Sequence, residues 1–250
     1  MEKEEFFLKR IRELANIAYQ RDIVTFTDFL NLNEQNILNT QNRKGLGVCV
    51  GTFGGWEAAE RQMAAFYPQG LSFSWEYPIA CLHIRPKNPR FGESLTHRDY
   101  LGAILNLGVD RSVVGDILIR EKEAWLFCKS SMTEFFMENL SRIRHTETEL
   151  DEVSDPGELP GPSLEAVNGT CSSVRLDSLI ALAFRESRSS MVSYIEKGFV
   201  FVNGRLVTSN GFDPKPGDII SVRGKGRFVF DGVSGQTKKG RLSVCIKKYV

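Results

Sequence analysis

Histidine is scarce in this chain, at three residues. Cysteine amounts to five, at positions 49, 81, 128, 171 and 245, with no C-x-x-C among them. An odd, widely spaced set argues against a disulfide framework and against a zinc site, and it suits a reducing cytoplasm. In that compartment the Asn-x-Thr at Asn168 carries no meaning as a glycosylation acceptor. No apolar run approaches the length of a membrane span, and the start MEKEEFFLKR lacks the pattern of a signal peptide. The expectation is a cytoplasmic protein with no membrane association, no metal and no cofactor. Nucleotide loops are missing too. Gly51, Gly54 and Gly55 in GTFGGW fit neither G-x-x-x-x-G-K-[ST] nor G-x-G-x-x-G, so a tight strand-to-helix turn is expected there. His97-Arg98-Asp99 is not a kinase catalytic loop, because Asn106 lies seven residues beyond Asp99 rather than five. It reads instead as the start of a helix capped by Thr96, with Asp99 as the partner in a capping box.

What the chain has is an asymmetry of charge. Over 250 residues the formal net charge is only +1. Residues 172–250 hold 14 Lys and Arg against 6 Asp and Glu, a net of +8, which leaves −7 for residues 1–171. A basic tail half is the electrostatic footprint of a nucleic-acid binder. A solvated basic face with no partner would have the same composition, so the motifs have to decide.

They lie between Val174 and Val207, VRLDSLIALAFRESRSSMVSYIEKGFVFVNGRLV. Leu176, Leu179, Ile180 and Ala183 recur with helical spacing, and Ser187 is placed as N-cap of a second helix carrying Met191, Val192 and Ile195. After Gly198 the pattern becomes that of a strand, and Asn203-Gly204 signals a tight hairpin. A further strand, DIISVR, begins at Asp218. The order resembles the S-four RNA-binding domain: Arg175-Leu176-Asp177, Ser187-Arg188, Gly198 to Gly204 as G-F-V-F-V-N-G, and Gly217-Asp218-Ile219-Ile220 stand in sequence over about fifty residues. Phe201 departs from the pattern, since many relatives carry a basic or polar residue there. The second helix opens at Ser187-Arg188-Ser189-Ser190, where backbone N–H groups, hydroxyls and a guanidinium would face one phosphate. The candidate RNA-binding residues are Arg175, Arg185, Ser187, Arg188, Ser189, Lys197 and Arg205.

Ahead of that domain the chain is expected to be α+β. Residues 1–77 read as an N-terminal subdomain: a helix from Glu4 to Tyr19, a second from near Thr27 to Leu38, a strand at 47–53, a helix at 57–66, and a strand through Phe73, Trp75 and Tyr77. Residues 78–153 read as strand, helix, hairpin, helix and edge strand. The pieces are PIACLHIRP, Thr96–Leu107, DILIR with EAWLFCK, Ser131–Ile143 and His145–Val153. That β-α-β-β-α-β order is the ferredoxin-like one shared with RNA-recognition-motif domains, although EAWLFCK lacks the aromatic signature of that motif. Alternation places His83 and Arg85 beside Trp125 and Phe127, a base-stacking platform if that sheet face is open, or core if it is not. Residues 154–170, rich in Pro, Gly and Ser, are expected to link this half to the S-four domain at 171–250.

The block PKNPRFGESLTHRDYLGAILNLGVDRSVVGDILI ahead of an S-four domain closely resembles the YlmH family of Gram-positive bacteria. The resemblance implies a non-catalytic protein that binds structured ribosomal RNA and tRNA. It also implies work on stalled large ribosomal subunits, holding peptidyl-tRNA while a tail is added to the blocked nascent chain. Two alternatives stand beside it. S-four domains are also appended to pseudouridine synthases and methyltransferases, and Arg175-Leu176-Asp177 looks like the segment around a synthase's catalytic aspartate. Asp177, however, already belongs to the binding motif, and no methyltransferase-type glycine loop is present. A scaffold in cell division rests on the family's gene neighbourhood alone.

Overall fold

The computed structural model describes residues 2–40, 43–71, 73–154, 159–161 and 164–249. Two compact units are present, Met1–Gly161 and Pro162–Val250. Among the described residues no helix is long and apolar enough to cross a membrane.

In the first unit, helix α1 (Glu2–Arg21) lies ahead of β1 (Thr25–Phe26), α2 (Leu32–Thr40), β2 (Cys49–Phe53) and β3 (Met63–Tyr67). The helical spacing of Ile11, Leu14, Ala15 and Ala18 buries one face of α1 against Ala64 and Phe66 of β3, together with Leu38 and Val48. The sheet order is β1-β3-β2, antiparallel throughout. The helix expected at 57–66 is absent, because Met63–Tyr67 pair on both sides as the central strand. The preceding turn is fixed from far along the chain: the Asp116 carboxylate accepts the backbone N–H of Glu60 (2.7 Å) and Arg61 (3.0 Å) and Trp56 Nε1 (3.2 Å). Phe73, Trp75 and Tyr77 form no strand either. Trp75 packs in a ring cluster with Phe26, Tyr67 and Tyr77, at centroid separations of 5.1–5.7 Å.

The unit continues with β4 (Ile79–Pro86), α3 (His97–Asn106), β5 (Val114–Arg120), β6 (Glu123–Lys129), α4 (Thr133–Asn139), β7 (Arg142–Ile143) and β8 (Thr146–Glu152). The sheet order β5-β6-β4-β8-β7 is that of the ferredoxin-like arrangement with one short added strand. Two boundaries differ from expectation. The α4 helix stops at Asn139 because Arg142 and Ile143 turn back as β7, and β8 is therefore inside the sheet rather than at its edge. Thr96 caps α3 in a complete box, with Asp99 Oδ2 accepting from the Thr96 backbone at 2.9 Å. Tyr100, Ile104 and Phe136 pack on one face of the sheet with Leu82, Ile84 and Leu126.

The other face is covered as well. Phe29, Trp56 and Met63 of the N-terminal part lie on Phe127, with the Trp56 and Phe127 rings stacked at 6.5 Å and 13°. Arg61 is half-buried in the same joint and donates to the carbonyls of Phe29 (2.8 Å) and Val114 (2.9 Å). Desolvation lowers its pKa, while Glu34 and Asp116 act against the shift. Residues 1–77 and 78–153 thus share one body.

The second unit runs β9 (Leu164–Cys171), α5 (Leu176–Phe184), α6 (Arg188–Glu196), β10 (Val200–Val202), β11 (Arg205–Leu206), β12 (Ile219–Val222), β13 (Gly226–Gln236) and β14 (Leu242–Tyr249). Its sheet order is β11-β10-β12-β13-β14-β9, and the core holds Leu176, Leu179 and Ile180 of α5, Met191 and Ile195 of α6, and Phe228 and Phe230 of β13. Part of the expected linker, 155–158 and 162–163, lies outside the described residues. Its last seven residues are no linker, for Leu164–Cys171 pair with β14 along all eight residues.

Candidate nucleic-acid interface

The helix pair of the second unit is shaped locally. Arg185 ends α5 in the left-handed conformation (φ +54°) and turns the chain into Ser187, whose Oγ caps α6 by accepting the Ser190 N–H at 3.1 Å. The hairpin expected at Asn203-Gly204 is present, with φ +49° and +73° at the two turn residues. Asn203 does more than turn. Its Nδ2 donates to Asp218 (2.8 Å) and its Oδ1 accepts the Ile219 N–H (2.9 Å), so the N-G and G-D motifs latch to each other. Phe201 is buried, so its departure from the family pattern concerns packing and not the surface.

The start of α5 and the start of α6 meet at Asp177. This side chain is 96% buried, and its Oδ2 accepts both Nε (3.1 Å) and Nη2 (2.7 Å) of Arg188. Arg175 Nε stands 3.4 Å from Oδ1, an ion pair without hydrogen-bond geometry. Arg188 therefore does not reach freely into solvent from the helix tip, as the sequence had implied. It leans on Asp177 with half of its side chain exposed. That anchoring costs the arginine little freedom on meeting a phosphate, because its rotamer is already fixed.

The seven candidate residues do not form one cluster. Asp177 brings Arg175 and Arg188 together, and the Ser187 and Ser189 hydroxyls lie 3.1 Å apart beside them. Lys197 is at the opposite end of α6, about 13 Å away at the rise of a nine-residue helix. Arg205 is exposed on β11, the short edge strand, and Arg185 is exposed at the end of α5. Other cations escaped the motif reading because they belong to no motif. Arg223 lies over Phe199 (5.8 Å), Lys225 over Tyr194 (5.0 Å), Arg227 over Tyr249 (4.2 Å) and Lys248 over Phe184 (5.4 Å). The run of Arg223, Lys225 and Arg227 and the pair Lys247-Lys248, with aromatic residues at 184, 194, 199 and 249, were the available signal.

The second expected RNA face, on the ferredoxin-like sheet, is not open. His83 does stack on Trp125 (4.4 Å, 10°), as alternation placed it. Trp125 is only 6% exposed and Phe127 only 1%, so neither ring offers a free surface to a base. The polar members are bound to acids: His83 Nε2 to Glu123 (2.8 Å), and Arg85 to Glu149 and Asp151. Carboxylates of β6 and β8 thus occupy the polar groups that β4 presents on this face.

Comparison with known proteins places two domains on the chain. Residues 74–155 match the family described as a putative RNA-binding domain in YlmH, and residues 174–220 match the S4 domain. Ribosome-associated protein quality control protein P2 of Bacillus subtilis (strain 168) is 27% identical over 248 residues, covering 98% of this chain and 95% of that protein. The solved structure of the cell division protein ylmH from Streptococcus pneumoniae superposes with a TM-score of 0.52 at 24% identity. It spans 64% of this chain and 96% of that one, a likeness of fold.

Proposed function

The chain belongs to the YlmH family, and from that premise we propose that it is a non-catalytic RNA-binding protein of ribosome-associated quality control. The similar Bacillus subtilis protein is named for ribosome-associated protein quality control. In this reading the second unit grips structured RNA of the large ribosomal subunit, preferably one carrying tRNA, in the cytoplasm where ribosomes work.

The observation that carries the reading is Asp177. Were Arg175-Leu176-Asp177 the catalytic segment of a pseudouridine synthase, the carboxylate would have to face a flipped base. Instead it is buried and occupied by Arg188, and its burial serves to set two guanidiniums at the surface of an S4 domain. A helix pair and hairpin presenting Arg and Lys reads backbone shape more than base sequence. Charge alone attracts any RNA, so preference for one subunit has to come from two linked units engaging together, each raising the effective concentration of the other.

Sucrose-gradient sedimentation of tagged protein at moderate salt tests this. The wild type is expected to travel with free large subunits, and Arg188→Glu to stay near the top. Equal spread of the wild type over small subunits, large subunits and free RNA would leave only a general RNA binder.

A further inference from the structure

Beyond the S4 segment, unit two carries a hairpin that no motif explains. Its turn, Thr237-Lys238-Lys239-Gly240-Arg241, joins β13 to β14. The turn is held in shape from within: Thr237 N–H donates to the Arg241 carbonyl (2.7 Å), the Arg241 N–H to Thr237 Oγ1 (3.1 Å), and Gln236 Nε2 to the Gly240 carbonyl (2.9 Å). Lys238, Lys239 and Arg241 are exposed, and none of them is ion-paired among the described residues. Four carboxylates of the same unit are engaged elsewhere: Glu186 on Lys225, Asp231 on Lys247, Asp218 on Asn203 and Asp177 on Arg188.

The turn lies beside the start of α5. Leu242 pairs with Cys171 in the β14–β9 register, and Arg241 Nη2 donates to the Thr170 carbonyl at 2.7 Å. From Cys171 the chain needs four residues to reach Arg175, and the Arg175 N–H folds back on the Ser173 carbonyl at 3.0 Å, which shortens that path. The Cys171 thiol reports the same neighbourhood. Burial raises its pKa, and Arg241 and Arg188 both act against the rise, so both guanidiniums are within electrostatic reach of one sulfur.

We propose that the turn Thr237–Arg241 joins Arg175 and Arg188 in one surface for the phosphodiester backbone of duplex RNA, so that the RNA footprint extends past the S4 module onto the C-terminal hairpin. The proposal rests on the RNA-binding reading above and adds to it a second cationic edge. A duplex offers closely spaced phosphates, about one charge per 1.7 Å of axis, and a rigid turn with three unneutralised cations is matched to a run of them rather than to a single anion.

The test measures binding of the full chain to a labelled RNA hairpin by fluorescence anisotropy across a salt series. In Lys238→Ala/Lys239→Ala/Arg241→Ala, the dissociation constant is expected to rise more than tenfold and the salt slope to fall by about 2.7, at roughly 0.9 for each phosphate no longer neutralised. Arg241→Ala also removes the bond to Thr170. The double variant Lys238→Ala/Lys239→Ala, which breaks no hydrogen bond within the turn, is therefore expected to show about two-thirds of the slope loss. A triple variant in the first unit, Lys87→Ala/Arg90→Ala/Lys122→Ala, changes net charge equally and is expected to bind as the wild type does. If the hairpin variants match wild type while Arg188→Ala is weakened, the extended footprint is wrong and the S4 reading stands. If Arg188→Ala also binds normally, the RNA reading of this unit fails with it. Equal weakening by the first-unit triple would reduce the effect to net charge and overturn the proposal.

Discussion

In Arg188→Ala, affinity for structured RNA is expected to fall about tenfold at moderate ionic strength, with a salt slope lower by about 0.9 or less. The loss should be similar across RNAs of different sequence, because the guanidinium is set for a backbone phosphate and not for a base edge. Stability changes too. Asp177 remains buried after the substitution, with Arg175 as its ion-pair partner at 3.4 Å. Breaking a fully buried pair costs about 3–5 kcal/mol, but Arg188 is half exposed, so about 1–2 kcal/mol is expected here. Asp177→Asn separates the two roles: it weakens the fold and loosens the Arg188 side chain without removing either guanidinium, so affinity at a temperature where the variant is folded should fall by less than in Arg188→Ala. Fluorescence anisotropy for binding and thermal melting for stability read the two effects. Loss of binding to one RNA sequence alone, with an unchanged slope, would indicate base readout.

Gly55→Ala is expected to destabilise the first unit by about 3 kcal/mol, from a left-handed backbone worth roughly 1–2 kcal/mol to an L-residue and an overlap of similar size. Gly55 has φ +95°, and a Cβ there would stand 2.4 Å from Cδ1 of Phe127. The Phe127 ring is pinned between Trp56 and the sheet and cannot move aside. For a body of this size the shift corresponds to a melting temperature lower by roughly 6–12 °C. RNA affinity of the second unit should be unaffected. A shift below about 1 kcal/mol would mean that the GTFGGW glycines are not there for close packing.

The contrast between what sequence reveals and what it hides follows the range of the interactions. In the second unit the deciding contacts are short: Ser187 caps its own helix, Asn203-Gly204 closes its own hairpin, and Leu176, Leu179, Ile180 and Ala183 mark their face by spacing. Those features could be read residue by residue. Met63–Tyr67 could not, since an alanine-rich run following Glu57 favours helix locally and is overruled by strands on both sides and by Asp116 some 55 residues on. Leu164–Cys171 has the composition of a linker and becomes a strand only through β14, whose residues come last in the chain. The binding site divides in the same way. Arg175 and Arg188 sit in a motif, whereas Arg241 reaches them through strand register, and Trp125 and Phe127 were placed on the correct face without any sign that Phe29, Trp56 and Met63 would cover it.

Crosslinking the protein to RNA in living cells, followed by sequencing of the bound fragments and mapping of the linked peptides, tests the central claim most directly. Expected are fragments of large-subunit ribosomal RNA together with tRNA, and linked peptides clustered in 172–250 around Arg175, Arg188 and the 237–241 turn. Fragments drawn mainly from small-subunit RNA or messenger RNA, or peptides confined to residues 1–154, would contradict it.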